Sequence, residues 1–306
     1  MENPSSASTL EKSVPLRQKV AGKIQQAGGR DMFTMRQLIS RRSFIATASL
    51  LPVASMAQPT PEKEKEPDLD APYVPTPQDV VDRMLELAKV TADDYVMDLG
   101  CGDGRILVTA AAKFGARGFG VDIDPKRIRE AKANAAAAGV ADKVDFGIED
   151  LFHTPIGKAS VLALYLFPHI NELLAPRMLK EMKPGSRIVT HGFGIGKWRP
   201  DLNDMLAMRP IHFYVVPANV GGTWRITPET GRPFNLSLIQ SFQRITGFVE
   251  GVDGVRLRNA RLAGPQIAFA LETSRGPRLE FAGAVDGEKM TGYGWTAVRT
   301  TTQAPR

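Results

Sequence analysis

A glycine-rich segment carries the clearest chemical signal in this chain. Asp98 ends an apolar run, and Gly100, Gly102 and Gly104 follow at alternate positions, just before a helical pattern that begins at Arg105. Glycine lets the backbone turn sharply and approach a ligand without an intervening Cβ, and the N–H groups at a helix N-terminus attract polar ligands. The spacing differs from the G-x-G-x-x-G of dinucleotide-binding turns and from a P-loop. The segment therefore predicts a different ligand-binding turn between a strand and a helix.

Acidic residues also follow the next two predicted strands. Asp122 ends a strand that starts at Gly118, and Asp150 follows a strand that starts at Lys143. A carboxylate at a strand end can accept hydrogen bonds from both hydroxyls of a ribose in Rossmann-like nucleoside-binding folds. Ligands of such sheets bind outside the carboxyl ends of the strands, so these acids predict one site for a nucleoside-containing ligand.

Together these motifs resemble the class I S-adenosylmethionine (SAM)-dependent methyltransferases. A further set of segments looks like the small lysine methyltransferases related to the ATP-synthase c-subunit enzyme, and more distantly like the seven-strand histone lysine methyltransferases. These segments are PYVPTP at 72–77, DLGCGDGRI at 98–106, LYLFP at 164–168, KPGSRIVTHGF at 183–193 and WRP at 198–200. The likeness covers about residues 71–201. Cys101 stands where Ser is common in the family and Asp122 where Glu is common, and both changes leave SAM as the expected cofactor.

The resemblance implies roles for particular positions. The residues expected to bind the core of the cofactor are Asp98, Gly100, Cys101, Gly102, Gly104 and Asp122. Asp150, with Leu151 beside it, is expected to take the adenine amino group. Tyr73 and Thr76 are expected to form a lid over the methionine end. Cys101 is interpreted as a small residue packed beneath the cofactor rather than as a nucleophile.

Tyr165 is the candidate catalytic residue, because the family places substrate-facing residues after the fourth strand. A lysine acceptor has a pKa near 10.4 in water, so the site must desolvate its ammonium until the neutral amine is populated. The alternative for Tyr165 is a core aromatic whose hydroxyl bonds the backbone. Phe193 and Trp198 are candidates for the acceptor channel and His191 for a base, with plain packing or structural roles as the alternatives.

The surrounding pattern predicts the elements that position these residues. From Thr76 to about Phe193 helical and strand patterns alternate, which predicts a Rossmann-like, doubly wound α/β sheet. After about Pro210, period-two runs separated by glycine-containing turns predict an antiparallel meander or small barrel. The resemblance implies, as an alternative boundary, that the first one or two of these strands complete the first sheet as an antiparallel hairpin and that the additional part starts near Trp224. The expected organisation is a leader at 1–57, a Pro-rich charged linker at 58–71, a methyltransferase domain at 72–210 and a β-rich domain at 211–306.

The N-terminal segment has the pattern of an export signal. Arg41 and Arg42 in SRRSFI form a twin-arginine signature, followed by a short apolar run and Ser55-Met56-Ala57, a small-x-small cleavage pattern. The expected location is the periplasm, and the alternative is a cytoplasmic protein with a basic tail. The apolar run is too short to predict a transmembrane helix. Export leaves the supply of SAM open, although the twin-arginine route carries folded proteins.

Charge and cysteine content exclude several function classes. The formal net charge is +6, but residues 1–57 hold 8 of the 39 Lys and Arg and 3 of the 33 Asp and Glu, which leaves 31 against 30 in the remainder. A nucleic-acid partner is therefore not expected. With a single Cys and four scattered His, neither an intramolecular disulfide nor a metal site is expected.

Three functions remain open at this point. The first is a SAM-dependent methyltransferase that acts on an amine, with a protein lysine as the favoured acceptor. The second is a methyltransferase of a small metabolite. The third is a non-catalytic exported binding or assembly protein on a methyltransferase fold. The sequence does not indicate the acceptor or the oligomeric state.

Overall fold

The computed structural model describes residues 73–273 and 276–302. The twin-arginine leader, its cleavage site and the linker at 58–71 lie outside the described residues, so they stay predictions. Within the described part of the chain, no helix has the length and apolar character needed to cross a membrane.

The first half of the described chain forms a seven-stranded sheet with four helices. In chain order its elements are α1 (Gln78–Leu87), β1 (Tyr95–Leu99), α2 (Arg105–Phe114), β2 (Arg117–Asp122), α3 (Pro125–Ala137), β3 (Val144–Ile148), β4 (Val161–Leu164), α4 (Pro168–Glu181), β5 (Arg187–His191), β6 (Leu202–Leu206) and β7 (Arg209–Val215). The strand order is β3-β2-β1-β4-β5-β7-β6, in which β1 to β5 pair in parallel and β7 is antiparallel to β5. The predicted doubly wound α/β fold is confirmed.

Helices on both faces explain why the central strands are buried along most of their length. Residues of α1, α2 and α3 pack in a hydrophobic cluster on one face, and α4 packs on the other. Within α1, Val80, Val81, Met84 and Leu85 recur at helical spacing and are fully buried. Strand β4 is buried along its whole length, as expected for a parallel strand covered on both sides.

Strand β4 and helix α4 meet in a tight connection of three residues. The sequence predicts a strand to Leu166 and a helix from Asn171, whereas the strand ends at Leu164 and the helix begins at Pro168. Pro168 occupies the first turn of the helix, where proline's fixed φ and missing N–H are tolerated. The residues between them, 165–167, therefore leave the sheet at its carboxyl edge.

The second half of the described chain forms an eight-stranded antiparallel sheet. Its strands are β8 (Gly222–Pro228), β9 (Phe234–Ser241), β10 (Arg244–Val249), β11 (Arg256–Ala263), β12 (Gln266–Glu272), β13 (Leu279–Asp286), β14 (Lys289–Gly292) and β15 (Trp295–Thr302). The first strand pairs with the last, and β10 lies beside β11, so the sheet curls into a barrel. Apolar side chains such as Trp224, Phe269, Phe281 and Trp295 fill its interior. The predicted antiparallel extension is confirmed.

The predicted boundary between residues 210 and 211 falls inside a strand and needs correction. Strand β7 continues to Val215 and pairs along its length with β5, so it belongs to the first sheet. The barrel begins at Gly222, which places the connection at 216–221. The alternating pattern is the same on both sides of residue 210, because an antiparallel hairpin ends the first sheet and antiparallel strands form the second.

Candidate active site

The glycine turn lies between β1 and α2 at the carboxyl edge of the first sheet. Gly100, Gly102 and Gly104 have φ values of 77°, 54° and 75°, which lie in the left-handed region that favours glycine. The N–H groups of Gly100 and Cys101 donate to the carbonyl of Val121 at 2.8 and 2.9 Å. These bonds fix the turn against the end of β2, beside Asp122.

Asp122 is held by two backbone donors. Its Oδ2 accepts the N–H of Gly102 at 2.9 Å, and its Oδ1 accepts the N–H of Asp124 at 3.0 Å. A carboxylate has about four lone-pair sites, so each oxygen can still accept a further hydrogen bond. Asp122 lines the pocket with both oxygens oriented by the turn and by the start of α3, as a receptor for two neighbouring hydroxyls requires.

Asp98 is buried at the floor of the same pocket. Burial, together with the neighbouring carboxyls of Asp122 and Asp103, raises the pKa of Asp98 to about 8. A buried carboxylate is stable only when a positive group compensates it. At pH 7 the carboxyl is therefore largely protonated, and a ligand that placed a positive group beside Asp98 would favour its ionised form.

One pocket joins the turn, the strand-end acids and an aromatic rim. The sequence-predicted site residues that line it are Tyr73, Thr76, Asp98, Gly100, Cys101, Gly102, Asp122, Asp150, Leu151 and Tyr165. Gly104 does not line it. The Cβ of a residue at this position would lie 2.7 Å from the ring of Phe146 and 2.8 Å from Ala131. Gly104 therefore allows α2, α3 and β3 to pack closely, and its predicted cofactor contact stays a prediction.

Asp150 lies at the end of the pocket beyond β3. Its Oδ1 accepts the N–H of Phe152 at 2.8 Å, and its Oδ2 lies 2.8 Å from Nδ1 of His153. These contacts hold the pKa of Asp150 below its ordinary value, the Phe152 amide being the largest cause. Glu149 and Ile123 are among the lining residues that sequence reasoning missed. The sequence signal for Ile123 is an apolar residue directly after Asp122, and the structure shows that its side chain is exposed.

Residues 73–76 line the pocket, and the two predicted lid residues at the ends of this segment contact different parts of it. The Tyr73 ring lies against the turn, so closely that a Cβ at Gly102 would be 2.4 Å from it, and the Arg127 guanidinium lies 4.2 Å from its centroid. Arg105 donates to the Thr76 carbonyl at 3.0 Å. Tyr73 is thus at the glycine turn and Thr76 three residues away, beside β5. Sequence reasoning did not identify Arg105 or Arg127.

Thr76, His191 and Tyr165 form a compact group at the other end of the pocket. Thr76 Oγ1 lies 3.3 Å from Nδ1 of His191, and the His191 ring lies 4.0 Å from the Tyr165 ring. Burial and the nearby Arg209 lower the pKa of His191, against an opposing effect of Asp79. A neutral imidazole is therefore the stable form of His191 at pH 7.

Aromatic side chains form the rim at this end. Phe167 and Phe193 both line the pocket, are 37% and 38% exposed, and their rings lie 6.2 Å apart. Trp198, predicted as a second channel candidate, is instead buried in the core, where its ring packs on Tyr214 and Phe242. The short chain between Phe193 and Trp198 turns inward at Ile195, so only the first of these aromatics reaches the pocket.

We expect Cys101 to react slowly with thiol reagents. Burial, reinforced by the carboxyls of Asp98 and Asp122, raises the pKa of its thiol, and only the thiolate is a good nucleophile. Since the chain has a single Cys, thiol titration reports this site alone. Labelling at pH 8 should be more than about tenfold slower in buffer than in guanidinium chloride, and equal rates would contradict the interpretation.

The part of the chain that forms the first sheet is similar to known methyltransferases. A family model described as the ANTKMT methyltransferase domain matches residues 98–202. A protein-lysine N-methyltransferase of Saccharolobus islandicus (strain REY15A) is 49% identical over 130 residues, which is 42% of this chain and 81% of that protein. The ATP synthase c-subunit lysine N-methyltransferase of Mus musculus is 27% identical over 195 residues, 63% of this chain and 77% of that protein.

One solved structure has a sequence identity to this chain similar to that of the Saccharolobus islandicus protein. An RNA methyltransferase from Salinibacter ruber, in complex with S-adenosyl-L-homocysteine (SAH), is 46% identical, with a TM-score of 0.47, and the match covers 48% of this chain and 96% of that one. The family match ends within β6, so the β barrel lies outside the matched residues.

Proposed function

From its place in the methyltransferase family represented by the protein-lysine N-methyltransferase of Saccharolobus islandicus, to which the chain belongs, we propose its substrate. The chain methylates the side-chain amine of a protein lysine. It is an enzyme and SAM is its methyl donor. The observation that carries the proposal is the pairing of an acidic pocket floor at Asp98 with an uncharged aromatic rim at Tyr165, Phe167 and Phe193. The floor suits a cationic donor, and the rim suits an amine that must lose its proton.

The residues present fit SAM. We propose that Asp122 accepts the ribose hydroxyls, that Asp150 and Leu151 contact the adenine, and that Asp98 faces one of the two positive groups of SAM. The buried carboxyl of Asp98 supports this fit, because the charged groups that shift its pKa are the carboxyls of Asp122 and Asp103, and no cationic side chain of the described residues lowers it. When bound, SAM supplies an electrophilic methyl group on a sulfonium centre.

The protein's own contribution at the acceptor end is positioning and desolvation. A lysine side chain that passes between Phe167 and Phe193 leaves water, which lowers the pKa of its ammonium. The hydroxyls of Tyr165 and Thr76 can orient the neutral amine, and neutral His191 adds no charge that would repel the incoming cation. An amine held about 3 Å from the reacting carbon with its lone pair aligned gains most of the available rate enhancement from proximity.

A methyl-transfer assay tests the proposal. The full chain is incubated with methyl-labelled SAM and with total protein, RNA and small-molecule fractions from the source cells, and the products are hydrolysed and identified. We expect label in methyllysine, and a lower rate of its formation in the Tyr165→Phe variant with unchanged SAH binding. Label confined to nucleosides or metabolites, or SAH binding without any transfer, would contradict a lysine acceptor.

Affinity for SAM should rise with pH. Below about 8 the empty site holds Asp98 protonated, and a bound cation favours the ionised form, so binding must release this proton. The dissociation constant should therefore fall by up to about tenfold per pH unit between pH 6 and 8 and then level off. Calorimetry in buffers of different ionisation enthalpy measures both the affinity and the proton release.

The control for this pH dependence is Asp98→Asn. It should weaken binding and remove the pH dependence, and an unchanged slope would assign the proton to another group. The same raised pKa gives a second check: without SAM the folded protein loses stability as pH rises from the ordinary carboxyl range towards about 8, because the folded state prefers the protonated form.

We further propose that the protein is exported to the periplasm by the twin-arginine route. The supporting observation is the Arg41-Arg42 pair with its apolar run and small-x-small sequence. Cell fractionation tests it. The unaltered chain should appear in the periplasm in shortened form, and the Arg41→Lys/Arg42→Lys chain should stay in the cytoplasm at full length. Cytoplasmic retention of both would contradict export.

A further inference from the structure

The loop between β5 and β6, residues 192–201, forms one side of the aromatic rim through Phe193. Three side chains of the first sheet and its helix α4 form hydrogen bonds with the backbone of this loop. Thr190 Oγ1 donates to the Phe193 carbonyl at 2.6 Å, and Asn171 Nδ2 donates to the Gly194 carbonyl at 3.2 Å. The N–H of Ile195 donates to the Tyr214 hydroxyl at 3.1 Å. This loop, which we call the acceptor loop, is thus anchored to the first sheet at its start.

The barrel holds the far part of the acceptor loop. The turn between β9 and β10 consists of Phe242 and Gln243, and the Phe242 ring stacks on Trp198 with centroids 5.4 Å apart and planes 15° apart. Gln243 Nε2 donates to the Arg199 carbonyl at 2.5 Å and lies 3.5 Å from a carboxylate oxygen of Asp201. A single barrel turn therefore contacts three residues of the loop.

The turn at Phe242 has nearly the same φ as two other turns of the barrel, but a bulky residue stands where those turns have glycine. Three two-residue turns of the barrel have a positive φ at their first residue, namely Phe242 at 53°, Gly264 at 57° and Gly287 at 54°. Glycine is the usual residue at such a position, and a bulky residue there is a true outlier. Strain of this kind persists where the surroundings require it and is concentrated at functional sites. Phe242 adopts this conformation while its ring packs on Trp198.

We propose that the barrel serves as the support of the acceptor loop, with Phe242 and Gln243 as positioning residues that act through Trp198 and Arg199 on Phe193. This inference rests on the proposed lysine methyltransferase function, because it assigns the barrel a task in acceptor binding. We therefore expect changes in the barrel turn to affect acceptor binding. They should leave SAM binding, which depends on β1, β2 and β3, unchanged.

The test uses the full chain with Phe242→Gly and with Gln243→Ala. Glycine reproduces the turn found at Gly264 and Gly287, so the hairpin keeps a favourable backbone while the ring is lost. The matched control is Tyr293→Gly, which removes a fully exposed aromatic from another turn of the same barrel. The measurements are hydrogen exchange of residues 193–201, SAH affinity, and the rate of methyl transfer to the lysine acceptor fraction.

For Phe242→Gly we expect amide exchange in the acceptor loop to rise about tenfold and methyl transfer to fall about tenfold or more, since small misplacements are costly in catalysis. SAH affinity should stay unchanged, and Tyr293→Gly should match the unaltered protein. Unchanged exchange in the loop, or a parallel loss of SAH affinity, would overturn the proposal.

A double-variant cycle separates positioning from general stability. If Phe242 acts through the loop on Phe193, adding Phe242→Gly to Phe193→Ala should lower kcat/KM little further, whereas independent effects would multiply. Multiplying effects would overturn the positioning role. If the unaltered chain methylates no lysine, the proposed function fails by itself, and the exchange and SAH measurements still decide whether the barrel holds the loop.

Discussion

Replacing Asp122 by Ala should weaken SAM binding by about 2–3 kcal/mol, which is roughly 30-fold to 150-fold in the dissociation constant. Hydrogen bonds to a charged group contribute about 1.5–3 kcal/mol, and water can replace part of the lost pair. The carboxylate also accepts the N–H of Gly102 at 2.9 Å and the N–H of Asp124 at 3.0 Å. Its loss therefore removes an anchor of the glycine turn together with the two proposed ribose contacts. Calorimetric titration of SAM and SAH measures the effect.

Two comparisons make this result interpretable. Asp145→Ala removes an exposed carboxylate from the neighbouring strand β3, where its side chain is 79% exposed, and should leave SAM binding unchanged. Asp122→Asn keeps the shape but only one acceptor oxygen, so it should fall between the unaltered protein and the Ala variant. Normal SAM binding by Asp122→Ala would contradict the assignment of β2 as the ribose-binding strand.

Gly104→Ala should lower the free energy of unfolding by about 2–4 kcal/mol. A φ of 75° costs a residue with a Cβ about 1 kcal/mol, and overpacking costs about 1–3 kcal/mol more. The overpacking arises because the new Cβ would lie 2.7 Å from Phe146 and 2.8 Å from Ala131. Thermal unfolding should show a decrease in Tm of about 4–15 °C for a domain of this size.

The chain contains a matched control for this glycine. Gly139 has a φ of 69°, but no atom of the described residues lies within 4 Å of the position of its Cβ. Gly139→Ala thus isolates the conformational cost, and it should lower the unfolding free energy by only about 1 kcal/mol. Equal losses in the two variants would contradict the close packing of α2, α3 and β3 around Gly104.

The SAM end of the site was predictable because its residues follow strand ends in order along the chain. Asp98 and Asp122 lie at the ends of β1 and β2, and Asp150 follows the end of β3. Parallel strands bring their carboxyl ends to one edge of the sheet. The alternation of helix and strand patterns therefore determines both the fold and the neighbourhood of these acids. Leu151 reaches the pocket for the same reason, since it follows Asp150 directly.

The acceptor end was less predictable because it depends on contacts between distant segments. Thr76 and His191 are 115 residues apart, and no local pattern relates them. Trp198 lies five residues after Phe193, and the sequence does not reveal that the loop turns into the core between them. Phe242 was not identified either, because a positive φ at a bulky residue follows no local sequence preference.

The pairing of the first barrel strand with the last sets an order for folding. Trp295 in β15 pairs with Pro228 in β8, so the barrel closes only after the last described strand has been synthesised, whereas the first sheet is complete at Val215. Contacts between residues this far apart in sequence form slowly, and domains fold from the N-terminus during synthesis. The SAM end of the pocket can therefore form while later residues are still being synthesised, whereas the acceptor loop gains the support of the barrel only after β15 has left the ribosome.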